Sequence, residues 1–302
     1  MYDNDSRGFS YTGAFFMLIA FAVAGLVLAS LLSVPVWEGL TGRKFAEMET
    51  GMLDPAYGYV MKLIQAVTAI FGFLIPTLAT AALIHKKPLR LLGFNGGVSP
   101  QQAGLVILII VAALMLASSL SFLTHEIPLP AEWKLRFEKM EADYARQVNA
   151  IIGLKSFTDY LVALVIMAFL PALCEEALFR GGLQNFLTRG NDNPWLSIIV
   201  VSILFSLAHV SFYGFLSRFL LGIVLGALYF YSGRLWISIL AHFINNAVAL
   251  TALYVYTRQG KPMEEAMAEG PVNLWGILAA PVLIGLFIVF RRASGKVQYR
   301  PY

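Results

Sequence analysis

Apolar runs long enough to cross a membrane recur along the whole 302-residue chain, separated by short polar segments. About 20 apolar residues in a helix cross a bilayer, and the helix satisfies its own backbone hydrogen bonds in hydrocarbon. The pattern predicts spans at residues 11–32, 59–84, 102–123, 158–187, 195–210, 218–231, 235–256 and 272–290. The predicted fold class is therefore all-α, a polytopic membrane protein with about eight transmembrane helices.

The segment 131–152 has a different pattern, in which apolar side chains recur at spacings of three and four among charged residues. These side chains are Trp133, Phe137, Met140, Tyr144, Val148 and Ile151. Such a pattern is typical of an amphipathic helix that lies along the membrane surface with its aromatic face towards lipid. A lid or a guide for a substrate is the alternative interpretation of this helix.

These patterns predict four regions along the chain. Residues 1–130 form an N-terminal region of three spans, and 131–157 hold the interfacial amphipathic helix. Residues 158–256 form a membrane core that carries the ionisable residues, and 257–302 hold the last span and a basic tail.

Composition supports a membrane protein, because 58% of the residues are apolar, 13% are charged and the mean hydropathy is +0.71. The net charge of +4 comes from bases scattered over short loops, so the lipid bilayer is an expected partner and nucleic acid is not. The densest bases near helix ends lie at 86–90 and after Phe290, on the same side of an eight-span chain. The positive-inside rule then places both termini in the cytoplasm, and the bacterial cytoplasmic membrane is the expected location.

Strongly polar side chains come from three separate spans in the second half of the chain. They are Glu175, Glu176, Arg180, His209, His242, Asn245 and Asn246. A charged residue at the centre of a membrane helix costs roughly 2.5–3.5 kcal/mol even on the lenient insertion scale, so each needs a partner away from lipid. Singly, each has an ordinary structural explanation, such as an ion pair between Glu176 and Arg180. Together they predict one polar cavity.

A glutamate near an imidazole can take a proton from water, and histidine and asparagine side chains can stabilise the oxyanion that forms on a carbonyl carbon. Two histidines and a carboxylate can instead bind zinc. The chain has neither a His-Glu-x-x-His helix nor a Gly-x-Ser-x-Gly turn, which favours water as the nucleophile. Hydrolysis with or without a metal is thus open at this point.

The motifs Glu175-Glu176-x-x-x-Arg180, Phe205-x-x-x-His209 and His242-x-x-x-Asn246 follow one another in this order. This set resembles the CPBP (Abi) family of intramembrane proteases, which includes the type II CAAX prenyl proteases. The resemblance covers roughly residues 159–256, about a third of the chain.

The resemblance implies a role for each matching residue. Glu175 is the expected general base, assisted by His209, while His242 and Asn246 stabilise the oxyanion. The remaining three motif residues support the site: Glu176 and Arg180 hold its shape, and Phe205 packs behind His209. Members of the family have been described both as metal-free, glutamate-dependent enzymes and as metalloproteases. We expect no cofactor, and the alternative is zinc bound by Glu175, His209 and His242.

The leading functional hypothesis is an intramembrane endopeptidase that hydrolyses peptide bonds of a membrane-tethered protein or peptide, with water activated by glutamate. One alternative is a non-enzymatic membrane scaffold or a bacteriocin-immunity protein. Another is an ion-coupled transporter, since buried acids and histidines also relay protons. The transporter hypothesis predicts repeated halves or helices broken at matching positions, and the sequence has no evident sign of either.

Overall fold

The computed structural model describes residues 5–261 and 274–295, which form helices joined by short turns. One isolated antiparallel bridge pairs Ser6 with His85. We number the longer helices in chain order. They are α1 (Tyr11–Thr41), α2 (Pro55–Ile84), α3 (Pro100–His125), α4 (Ala131–Ile152), α5 (Phe157–Asn191), α6 (Pro194–Ala208), α7 (Phe215–Ser232), α8 (Leu235–Arg258) and α9 (Leu274–Ala293).

Seven of these helices (α1, α2, α3, α5, α7, α8 and α9) are long and apolar enough to cross a membrane, which confirms an all-α polytopic membrane protein. The predicted span at 195–210 is a helix, α6, but its 15 residues are about 22 Å long, against a hydrocarbon core of about 30 Å. It ends where Val210 adopts a positive φ of 50°. The start of the predicted last span, at 272–273, and the basic tail from Lys296 lie outside the described residues.

Several helices continue through an internal proline. The first span was predicted to end at residue 32, but α1 continues through Pro35 to Thr41. Pro76 of α2 follows a wider π-helical turn at Ile70–Leu74, and Pro171 of α5 follows another at Leu164–Phe169. Proline has no backbone N–H for the carbonyl four residues earlier, and a π turn is one way for a helix to absorb that loss. A third π turn, Ala177–Gln184, directly follows the paired acids of α5.

The two largest apolar cores among the described residues join different sets of helices. One joins α1, α2, α5 and α6, with Leu18, Phe186 and Phe205 among its fully enclosed side chains. The other joins α3, α7, α8 and α9. Since α5 and α6 belong to the first core and α7 and α8 to the second, the helices that carry the polar motifs lie where the two halves of the bundle meet.

Two glycines of α7 let it pack closely inside the monomer. A Cβ atom on Gly222 would lie 2.8 Å from Cβ and 3.0 Å from Cα of Ser202 on α6. One on Gly226 would lie 2.7 Å from Oε1 of Gln184 on α5. These glycines are therefore required for contacts between helices of one chain, as small residues often are in membrane proteins.

The predicted amphipathic helix is confirmed as α4, and part of its apolar side contacts protein. Phe137 stacks on Phe212 with ring centroids 4.5 Å apart, and Ala150 and Ile152 are buried at its C-terminal end. Trp133 is 48% exposed, and its contact with a membrane surface stays a prediction. The helix thus packs against the segment between α6 and α7, which contains Phe212.

Replacing Gly222 with alanine should lower the melting temperature of the purified protein in detergent. The added methyl group would overlap Ser202, and overpacking of this kind costs about 1–3 kcal/mol, more than the gain of up to about 1 kcal/mol from helix propensity. Gly104→Ala is the matched control, because a Cβ atom on Gly104 of α3 meets nothing within 4 Å. An equal effect of the two substitutions would contradict this packing.

Candidate active site

Glu176 is the most enclosed ionisable group of the motif set. Its side chain is 0% exposed, and Oε1 accepts a hydrogen bond of 2.7 Å from Nη1 of Arg180, one turn further along α5. The same oxygen lies 2.9 Å from Nδ1 of His242 on α8. A single carboxylate oxygen therefore binds a guanidinium group and an imidazole ring from two helices, and the predicted pair of Glu176 with Arg180 is present.

Arg180 is held by more than its carboxylate partner. Its Nη2 donates to the backbone oxygen of Gly222 on α7 at 3.3 Å, and its guanidinium carbon lies 4.6 Å from the centre of the Phe205 ring on α6. A cation over an aromatic face is favourable, more so where water is excluded. Arg180 thus connects α5 to α6 and α7, which fits a role in holding the site in shape.

Glu175 is in a different environment from its neighbour. Its side chain is 17% exposed, and Oε2 lies 3.9 Å from Nε2 of His242, beyond hydrogen-bond distance. That oxygen is buried without a hydrogen-bond partner among the described residues. Oε2 of Glu176 is likewise without a partner in the described part of the chain, but that side chain is fully enclosed, so of the two adjacent acids Glu175 is the one that another molecule can reach.

His209 follows the last residue of α6, and its ring leans on Phe205 with a centroid distance of 4.8 Å, as the sequence predicted. Nδ1 of His209 lies 2.7 Å from the backbone oxygen of Phe205. The charges that act on this ring come from Glu175, Arg218 and His242. His209 is therefore electrostatically coupled to the other two helices of the motif set.

The two hydrogen bonds assign the same tautomer to both histidines when they are neutral. A carbonyl oxygen and an ionised carboxylate only accept, so Nδ1 carries the hydrogen in His209 and in His242. Each Nε2 then has a free lone pair. To donate a hydrogen bond from Nε2, either ring must be doubly protonated.

Asn246 lies one turn beyond His242 on α8 and is partly buried. Its Nδ2 donates to the backbone oxygen of Ala168 at 3.3 Å, within the π turn of α5, and its Oδ1 accepts from Asn245 at 3.2 Å. An amide nitrogen carries two hydrogens, so Nδ2 has one left for another acceptor. The wider turn at Leu164–Phe169 thus contributes a carbonyl group that orients Asn246.

The motif residues are brought together to different degrees. Glu176, Arg180 and His242 are in direct contact, and Phe205 packs on His209, Arg180 and His242. Glu175 is near His242 without a hydrogen bond, His209 is coupled to both through charge, and Asn246 bonds α5 instead. The assignment of Glu175, His209, His242 and Asn246 as catalytic residues stays a prediction.

The zinc alternative requires that donor atoms of Glu175, His209 and His242 lie close enough together to bind one metal ion. Both histidines donate Nδ1–H to an oxygen and keep Nε2 free, an arrangement that metal-binding histidines commonly have. Among residues 5–261 and 274–295, however, no group of three His, Cys, Asp or Glu side chains is close enough together to hold a metal ion. Glu175, His209 and His242 thus do not form a ligand set as placed, and we derive no step through a metal.

Sequence reasoning missed Arg218, which was treated only as the first residue of a span. It lies in the first turn of α7, and its charge acts on His209. It also missed the hydrogen bond from Ser211 to the carboxylate of Glu141, which joins the segment after His209 to α4. The sequence signal for Arg218 was an arginine beside a long apolar run. No sequence signal indicated the hydrogen bond between Ser211 and Glu141.

An apolar groove of about 410 Å³ runs along the C-terminal half of α8. Its lining extends from Phe243 to Tyr256 and includes Ala247 and Thr251. Phe243 also contacts Phe169 edge to face, at a centroid distance of 6.1 Å. One end of the groove is therefore next in sequence to His242 and close to the α5 turn that holds Asn246.

Comparison with known proteins locates the family resemblance in this part of the chain. Residues 157–248 match the family described as Type II CAAX prenyl endopeptidase Rce1-like. The match confirms the predicted relationship of this segment to the CPBP family and includes all the motif residues from Glu175 to Asn246. At the family level it supports an intramembrane endopeptidase.

An Escherichia coli protein named "Uncharacterized 24.3 kDa protein" is 34% identical to this chain over 92 residues. The aligned part is 29% of this chain and 42% of that protein, so the chain spans less than half the length of this curated relative. No solved structure matches the chain significantly.

Glu176→Gln should lower the melting temperature strongly, because Arg180 is 1% exposed and would lose its only carboxylate partner among the described residues. Removing one partner of a buried ion pair typically costs about 3–5 kcal/mol. Glu175→Gln is the matched control, with the same chemical change at a site that lacks a hydrogen-bonded cation. Thermal unfolding of both variants in the same detergent measures the difference, and similar melting temperatures would refute the contrast between the two acids.

Proposed function

We propose that this protein is an intramembrane endopeptidase that hydrolyses peptide bonds of membrane-tethered proteins or peptides. The observation that carries the proposal is the contrast between two adjacent glutamates. Glu176 is fully enclosed, and its Oε1 atom binds both Arg180 and His242. Glu175 is 17% exposed, and its Oε2 atom has no hydrogen-bond partner among the described residues and lies 3.9 Å from an imidazole nitrogen. A hydrolase needs rigidly held side chains and a base that is able to accept a proton. Glu176 fits the first need and Glu175 fits the second.

In the proposed reaction Glu175 accepts a proton from a water molecule, and the resulting hydroxide attacks the carbonyl carbon of the scissile peptide bond. His209 assists through Nε2, which its bond to the Phe205 backbone oxygen leaves free. The proton taken up by Glu175 then passes to the leaving nitrogen as the carbon–nitrogen bond breaks. The products are a carboxylic acid, which then releases its proton to solvent, and an amine.

The oxyanion of the intermediate accepts hydrogen bonds from Asn246 and His242 in this proposal. Asn246 has a second N–H available and donates at any pH. His242 donates from Nε2 only as an imidazolium, and the bond between its Nδ1 and Oε1 of Glu176 fixes the orientation of the ring. Hence Glu176 supports the chemistry through His242, in addition to neutralising Arg180.

The membrane setting and the apolar groove support a tethered substrate. A groove of about 410 Å³ lined by Phe243, Ala247 and similar side chains suits a hydrocarbon chain or an apolar peptide segment. It lies on α8, the helix that also carries His242 and Asn246. A substrate anchored there would bring a peptide bond close to the polar motif residues.

A non-enzymatic scaffold remains the alternative, and bacteriocin immunity would be one such role. A scaffold needs the ion pair of Glu176 and Arg180 but has no use for an uncommitted carboxylate at Glu175. The enzyme is therefore preferred, and the two hypotheses differ in the outcome of changing Glu175.

Glu175→Gln should lower the hydrolysis rate by about 10² or more and leave the melting temperature close to that of the wild type. The substitution keeps size and most hydrogen bonding and removes the base. Purified protein in detergent is incubated with a panel of N-acylated peptides, and mass spectrometry follows the products. Absence of cleavage by the wild type, or equal rates in the two proteins, would favour the scaffold.

Asn246→Ala should lower the hydrolysis rate by about 10² to 10³, the usual loss for one oxyanion donor. The wild-type protein should keep its activity after exhaustive chelation and should contain no stoichiometric zinc. The zinc alternative predicts the opposite: activity and metal are lost together in His209 and His242 variants and on chelation, and zinc restores the chelated wild type. Elemental analysis per active protein decides between them. Activity that disappears and returns with zinc would overturn the metal-free mechanism.

A further inference from the structure

The cluster around Arg218 has no role in the mechanism above, although it adjoins His209. Arg218 is partly buried, and its Nη1 atom is fully buried without a hydrogen-bond partner among the described residues. A buried guanidinium nitrogen with an unused donor is costly, since burial removes water without supplying a replacement. Such a donor at the edge of a candidate active site calls for a ligand that accepts hydrogen bonds.

The fold places this guanidinium group against the segment that follows His209. A Cβ atom on Gly214 would lie only 2.1 Å from Nη1 of Arg218 and 2.7 Å from Oγ of Ser211. The absence of a side chain at Gly214 is what lets Arg218 fold back over this backbone. Position 214 therefore fixes where the charge of Arg218 is presented.

An acidic side chain that contacts this segment already accepts a hydrogen bond from it. Glu141 of α4 accepts a hydrogen bond from Ser211, and Ser211 in turn accepts from the backbone N–H of Gly214 at 2.9 Å. The other charges that act on His209 together with Arg218 are Glu175, the proposed base, and His242. Arg218 is thus a cation beside the reacting groups that is not hydrogen-bonded to either of these acids.

Arg180, the other arginine of the site, differs from Arg218 in its partners and its exposure. Arg180 is 1% exposed and is neutralised by Glu176, so its charge is used inside the protein. Arg218 has no such hydrogen-bonded acid and lies at the border of the bundle, where His209 is exposed. Both arginines have a buried nitrogen without a hydrogen-bond partner among the described residues, Nε in Arg180 and Nη1 in Arg218, but only Arg218 is partly exposed and can be reached by a charged group of a bound molecule.

We infer that Arg218 is a substrate-binding residue that pairs with a carboxylate group of the substrate close to the scissile bond. Arginine is suited to this task because its planar fork binds both oxygens of a carboxylate and it stays charged in poorly solvated surroundings. The carboxylate is either a free chain terminus or an acidic side chain. This inference rests on the proposed function, since it assigns Arg218 to the substrate of the same site.

A binding experiment with three N-dodecanoyl peptides tests the inference independently of catalysis. The first is a tetra-alanine with a free C-terminal carboxylate, the second is its C-terminal carboxamide, and the third is a carboxamide with aspartate in place of one alanine. Thermophoresis with the full chain in detergent gives the dissociation constants, and mass spectrometry checks that each probe stays intact.

Wild-type protein should bind a carboxylate probe on the order of tenfold more tightly than the carboxamide, the effect of charge-assisted hydrogen bonds. Arg218→Gln should abolish that preference, and Arg218→Lys should retain part of it, because lysine keeps the charge and loses the fork. Arg136→Gln, which removes the same charge from an exposed position of α4, should behave as wild type. Preference for the first probe alone indicates a chain terminus, and preference for both the first and third includes acidic side chains.

Equal affinity of wild type for all three probes, including no measurable binding of any, would overturn the inference. So would a preference that persists in Arg218→Gln. The outcome is separable from the proposed function: a carboxylate preference without hydrolysis leaves Arg218 as a binding residue and removes the enzyme. Hydrolysis without a carboxylate preference supports the enzyme and removes Arg218 as a carboxylate-binding residue.

Discussion

The arrangement of the polar helices depends on one buried carboxylate. Glu176 is fully enclosed, and its Oε1 atom binds Arg180 within α5 and His242 on α8, while Arg180 reaches the backbone of α7 and the aromatic face of Phe205 on α6. Ionised groups are expensive inside a bundle that crosses a membrane, so each member of this network needs the others. The position of the imidazole beside Glu175 follows from that constraint.

The helices are deformed at the points where the site is assembled. In α5 a π turn precedes Pro171, and a carbonyl group of that turn binds Asn246. A second π turn begins directly after Glu176. At the end of α6 the chain passes through the positive φ of Val210 into a segment held by α4. These local departures from regular helix let short side chains from separate helices reach the same region.

Periodicity and the cost of buried charge were enough to predict the helical membrane fold, the amphipathic helix at 131–152 and the ion pair of Glu176 with Arg180. They counted 195–210 as a span because hydropathy records how apolar a segment is, whereas the length of α6, which ends before the turn at Val210, falls short of a full crossing. The motif spacing identified His242 as a site residue. It could not predict whether His242 binds Glu175 or Glu176, because that depends on how α5 and α8 are rotated about their axes. Arg218 was missed because a base at a helix end is ordinarily solvated.

The central claim is that Glu176 has two separable tasks, neutralising Arg180 and orienting His242 for hydrolysis. The most direct test combines Glu176→Gln with Arg180→Met and measures melting temperature and peptide hydrolysis on the same preparations. Replacing both members of a buried ion pair is often tolerated, so the double variant should regain most of the stability lost in Glu176→Gln. Its hydrolysis rate should nevertheless stay far below that of the wild type, because His242 still lacks its carboxylate. A double variant with wild-type hydrolysis, or one no more stable than Glu176→Gln, would contradict the account.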